Sequence, residues 1–82
     1  MKNTNEMEIR FDSRSVNEGF ARVAVASFMT QLNPTVEEVA DVKTAVSEAV
    51  TNSIIHGYDN EVHKVSIRCR IDDNVFVVEV CD

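Results

Sequence analysis

Two runs in the second half of the chain alternate between apolar and polar residues, and a turn triplet separates them. Val65, Ile67, Cys69 and Ile71 interleave with Ser66, Arg68 and Arg70, and Phe76, Val78 and Val80 share one parity after Asp72-Asp73-Asn74. A period of two belongs to a strand with one buried face, and Asp-Asp-Asn is turn chemistry. The segment therefore predicts a β-hairpin whose apolar face needs a cover. Met7, Ile9 and Phe11 alternate with Glu8 and Arg10 and predict a third strand near the start. The last strand, apolar along its row, reads as a central strand.

Between these strands the period changes to that of a helix. Ser15 stands three residues before Glu18, a capping-box spacing that opens a helix. Val16, Phe20, Val23, Ala24, Phe28 and Leu32 then recur at helical spacing as its expected buried stripe. Asn33-Pro34 ends it, because the residue before proline avoids the helical region. Thr35 and Glu38 form a second capping box, and the helix they open runs to about His56, with Gly57 as a left-handed stop. Its expected buried stripe is Val39, Val42, Val46, Val50 and Ser53. The fold class that follows is α+β: a two-layer sandwich, with two helices packed on one face of a mixed or antiparallel sheet.

At 82 residues the chain is one small domain or a piece of one. Its 44% hydrophobic and 27% charged residues are those of a folded chain rather than a disordered one. Eight basic against fourteen acidic residues give a net charge of −6, which argues against nucleic acid as a ligand. The first ten residues are polar and no apolar run approaches bilayer length, so the expectation is an intracellular, cytoplasmic chain. Cys69 and Cys81 fall inside strand-like stretches without a CxxC or an adjacent His, and are expected to be reduced, buried thiols.

Chemistry is concentrated at a few positions. Glu48 and Asn52 lie one helical turn apart on the side opposite Val46 and Val50. Such a pair is ordinarily a solvated surface, yet an amide oxygen can ligate Mg²⁺ beside substrate phosphates, and a carboxylate one turn earlier can take a proton from an attacking hydroxyl. Asp82 has the parity of Phe76, Val78 and Val80, which aims a carboxylate at the core side of a strand end. A buried carboxylate needs a donor, and an adenine amino group would be one. His56, at a helix C-terminus, and His63, in a loop, read as structural. Arg22 reads as an exposed helical residue.

The run Glu48-Ala49-Val50-Thr51-Asn52-Ser53-Ile54-Ile55-His56-Gly57-Tyr58 resembles the N-box of the GHKL family of ATPases and kinases. Glu18-Gly19-Phe20-Ala21-Arg22-Val23-Ala24-Val25-Ala26-Ser27-Phe28 resembles the first helix of the serine-kinase-type anti-sigma factors within that family. The likeness extends over essentially all of residues 1–82. It implies ATP and Mg²⁺ as cofactors, with Asn52 as the Mg²⁺ ligand and Glu48 as the general base toward a substrate serine. By the same resemblance Asp82 would open an Asp-x-Gly-x-Gly box that recognises adenine, and Arg22 with Glu18 would form the partner-docking surface. The implied partners are a sporulation sigma factor (sigma F), its anti-anti-sigma factor and a second copy of the chain, as a homodimer.

The sequence stops at Asp82, before the glycines of that box, the ATP lid and the second glycine box. The expectation is thus that residues 1–82 are the N-terminal part of a single histidine-kinase-like ATPase domain, an incomplete GHKL (Bergerat) fold. The full protein would be a serine kinase and these residues alone inactive. Three readings compete: the ATPase domain of a sensor histidine kinase, a stress-response anti-sigma kinase, and a non-enzymatic sigma-docking fragment. The first is disfavoured by His56, which stands where histidine kinases carry Lys or Arg.

Overall fold

In the computed structural model, described for residues 2–56 and 61–81, the elements run β1 (Thr4–Asp12), α1 (Val16–Met29), a 3₁₀ turn (Thr30–Leu32), α2 (Val36–His56), β2 (Lys64–Asp72) and β3 (Val75–Cys81). The strands form one antiparallel sheet in the order β1-β2-β3, and the two helices pack on it. The sheet is antiparallel rather than mixed. Among the described residues the middle strand is β2, and β3, expected at the centre, lies at an edge.

The register brings the apolar rows together. Met7, Ile9 and Phe11 stand opposite Cys69, Ile67 and Val65, and Val80, Val78 and Phe76 stand opposite Ile67, Cys69 and Ile71. All four apolar residues of β2 are fully buried. Ala21 and Val25 of α1, Val46 and Val50 of α2, and Phe11 join Val65, Ile67 and Cys69 in one cluster. The Phe28 and Phe76 rings meet at 6.4 Å between centroids and close its edge.

The opposite face of the sheet is charged in a complementary pattern. Glu8 accepts from Arg68 at 3.1 Å, Asp12 pairs with Lys64 at 2.7 Å, and Glu6 faces Arg70. A one-residue slip would bury these charges and expose the apolar row, so the two faces specify the same register. The Asp12 carboxyl is held below its ordinary range by the hydrogen bond and charge of Lys64. Ser13 adds a polar clamp: its N–H donates to the His63 carbonyl at 2.8 Å, and its hydroxyl accepts the His63 N–H at 2.9 Å.

The helix ends differ. At α2 the capping box is complete: the Glu38 N–H donates to Thr35 Oγ1 at 3.1 Å, and the Thr35 N–H donates to the Glu38 carboxylate at 2.9 Å. At α1 the expected box does not form. Ser15 has helical dihedrals (φ −58°, ψ −30°) and makes no capping bond, whereas an N-cap hydroxyl needs an extended residue to reach the next turn. Glu18 turns instead to Arg22, and the Asn17 amide donates to the Asp12 carbonyl at 2.9 Å to anchor the helix start. Asn33 takes a left-handed conformation (φ 50°), which ends the 3₁₀ turn before Pro34.

The buried face of α1 also departs from expectation. Val16, Phe20 and Val23 are 78%, 58% and 57% exposed, and the helix buries Ala21, Val25, Ala26 and Met29. Ala24, Phe28 and Leu32 are half-buried at the margin. Small residues at positions 21, 25 and 26 let α1 come close to the layer beneath, which Phe20 would hold off. On α2 the expected stripe is found: Val46, Val50 and Ser53 are buried, and Val39 and Val42 half-buried. Cys69 is buried, and desolvation pushes its thiol up to about 11; Cys81 is exposed, because its parity in β3 is that of the outer face. Both are free thiols.

Candidate functional site

The face of α2 turned away from Val46 and Val50 carries the candidate site. Glu48 and Asn52 are both exposed and lie on adjacent turns, so their side chains leave the helix about 5–6 Å apart at Cβ. They line one open depression of roughly 380 Å³ together with Ser47 and Thr51. Neither Glu48 nor Asn52 has a side-chain hydrogen bond or ion pair to a described residue. A carboxylate and an amide held on a rigid helix, without partners among the described residues, are available to a ligand. Ser47 and Thr51 were not singled out from the sequence. Their spacing of four, one residue before each of Glu48 and Asn52, is the signal that marks them.

A metal here would have few protein donors. Among the described residues no group of three or more His, Cys, Asp and Glu residues could hold a metal ion. The donor set fits a hard cation that takes one amide oxygen from the protein and its remaining oxygens from phosphate and water, the habit of Mg²⁺.

Arg22 and Glu18 are brought together on α1, Arg22 Nη1 lying 3.5 Å from Glu18 Oε1. Arg22 also reaches the α2 side, since it shares a groove with Ala40, Lys43, Thr44, Ser47 and Glu48. Glu18 lines a separate depression with Ser15, Thr51, Ile54 and Ile55. Expected docking and chemical residues therefore occupy one continuous surface across the two helices. His56 ends α2 as expected and is exposed, and His63 precedes β2. Gly57, Tyr58 and Asp82 lie outside the described residues.

Sequence comparison names the class to which this α+β layer belongs. The chain belongs to the histidine kinase-like ATPase domain family, which it matches over residues 9–82. Among individual relatives it is similar to the anti-sigma F factor of Thermoanaerobacter sp. (strain X514), at 56% identity over all 82 residues and 57% of the relative. The anti-sigma F factors of Oceanobacillus iheyensis and Clostridium novyi (strain NT) are each 60% identical over 79 residues. Those alignments take in 95% of this chain and 54% and 55% of the relatives. The chain spans a little over half the length of the curated relatives it matches. Among the described residues no helix is long and apolar enough to cross a membrane.

Proposed function

We propose that residues 1–82 are the N-terminal part of an ATP-dependent anti-sigma factor. In this reading the full-length protein acts in the cytoplasm as a homodimer, holds a sporulation sigma factor (sigma F) inactive, and phosphorylates the anti-anti-sigma factor on a serine. The family match and the 56–60% identity to anti-sigma F factors support it. The observation that carries it is Glu48 and Asn52 on one exposed face of α2, without partners among the described residues. The helices and sheet form the two-layer core of the ATPase fold.

Asn52 would hold Mg²⁺ through its amide oxygen, and Asp82 would accept a hydrogen bond from the adenine amino group of ATP. The bound nucleotide would supply the phosphoryl group to the serine oxygen, with ADP as the leaving group, and Glu48 would take the serine proton. Arg22, with Glu18 fixing one side of its guanidinium, belongs to the surface that meets the protein partners.

The test is Glu48→Gln in the full-length protein. Gln keeps the size and polarity of Glu48 but cannot take a proton, so nucleotide affinity stays and phosphoryl transfer falls by roughly 10²–10⁴. Turnover equal to wild type would remove Glu48 from the reaction.

A further inference from the structure

The depression at Glu48 continues into a second groove of roughly 520 Å³, to which α1 contributes Arg22 and α2 contributes Lys43 and Thr44. Ser47 and Glu48 line both. Along α2, Asn52 lies about 6 Å beyond Glu48 toward the C-terminus, and Thr44 about 6 Å before it. The carboxylate thus stands at a junction. The Asn52 side is the one the proposed nucleotide needs, which leaves the Lys43–Arg22 side for whatever delivers the hydroxyl.

That side carries two cations on a chain of net charge −6. Apart from Glu48, its charged residues are Arg22 and Lys43. Arg22 is already paired with Glu18. Lys43 makes no ion pair with a described residue, and the residues one turn away on α2, Val39 and Ser47, are uncharged. Lys43 is half-buried beside the groove it shares with Arg22 and Glu48. A lysine so placed lays its methylenes on apolar surface and presents its ammonium at the groove.

We propose that Lys43 is a positioning residue for the protein substrate, its ammonium pairing with a carboxylate a few residues from the serine that Glu48 deprotonates. Lys43 and Glu48 stand five positions apart on α2, about 7.5 Å along the axis and about 140° around it, so their charged ends are roughly 10–13 Å apart. Extended chain covers that distance in about three to four residues. The inference rests on the kinase reading above and adds to it the charge of the segment that docks.

Two measurements on the full-length protein test it: calorimetric titration with the anti-anti-sigma protein in the absence of nucleotide, and phosphate transfer from labelled Mg-ATP. Lys43→Glu is expected to raise the Kd for that protein, and its KM, by about tenfold or more, the loss of one well-placed charge pair together with new repulsion. The KM for ATP stays unchanged. Lys43→Arg retains wild-type affinity, and a lysine in place of the substrate's acidic residue restores binding to Lys43→Glu. Should Lys43→Glu fail to fold by circular dichroism, Lys43→Ala carries the same measurements, with a smaller rise. Kd and KM within twofold of wild type would overturn the assignment of Lys43 and leave the kinase reading standing. A wild-type protein that transfers no phosphate to the partner overturns both. A parallel titration with the sigma factor in which only that partner weakens gives the groove to it and overturns its role in substrate docking.

Discussion

Arg22 is tied on one side and open on the other. Its Nη1 lies 3.5 Å from Glu18, one turn back on α1, while the side chain keeps 45% of its surface exposed at the groove shared with α2. An exposed pair of this kind adds little to stability. Arg22→Ala should therefore change the unfolding free energy by less than about 0.5 kcal/mol. In a partner interface the same truncation removes a planar fork of donors, and a hot-spot arginine there costs about 2 kcal/mol or more. Paired denaturation and sigma-factor binding measurements on the full-length protein separate the two. Sigma affinity within twofold of wild type would move the docking surface elsewhere. This pair was legible in the sequence because spacing of four on a helix leaves little choice of neighbour. Glu48 and Asn52 were legible for a related reason: both oppose the Val46–Val50 stripe. Lys43 was not, because its neighbour Arg22 comes from the other helix, and only packing brings the two together.

Elements differed in how far their pattern decided their orientation. The strands could be read because a period of two offers two faces, and on β1 and β2 the second face is largely charged. Helix α1 could not, because Val16, Phe20, Ala21, Val23, Ala24, Val25, Ala26, Phe28 and Met29 make it apolar nearly all round. Periodicity then fits more than one stripe, and side-chain volume decides among them. The capping boxes show a similar limit: Ser15-x-x-Glu18 and Thr35-x-x-Glu38 share a spacing, but a competing arginine one turn on claims Glu18. At Glu38 the Thr35 backbone N–H, and then its hydroxyl, hold the carboxyl below its ordinary range. A lowered folded-state value means that this contribution is complete above the unfolded value, about 4.3, and is lost as pH falls through the folded one. Thermal melts of wild type and Glu38→Ala between pH 7 and pH 3 should show a gap in Tm at neutral pH that narrows below about pH 4. A gap that stays constant across the range would mean that the ionised carboxylate contributes nothing at the cap.

At the scale of the whole molecule, a set of exposed polar residues on one helix face differs from a binding site. The described residues supply Glu48 and Asn52 over a depression open to solvent, which Ser47 and Thr51 also line. A small-molecule site ordinarily buries 70–90% of its ligand, and the protein's polar groups orient what enclosure holds. The triphosphate carries most of the charge of ATP, and phosphate cradles are built from glycine-permitted backbone N–H groups. The two glycines of this chain are Gly19, inside α1, and Gly57, next after His56 in the sequence, and neither belongs to a glycine-rich stretch. A net charge of −6 opposes the approach of an anion as well. Micromolar affinity requires about −8 kcal/mol. A single amide–metal contact and one adenine hydrogen bond, each worth on the order of 1–3 kcal/mol net, fall short of it. The 82-residue chain by itself should therefore give no saturable heat with Mg-ATP at micromolar concentrations in titration calorimetry. Binding tighter than about 10 µM, or roughly −7 kcal/mol, would show that the face of α2 encloses more of the nucleotide than its open depression does.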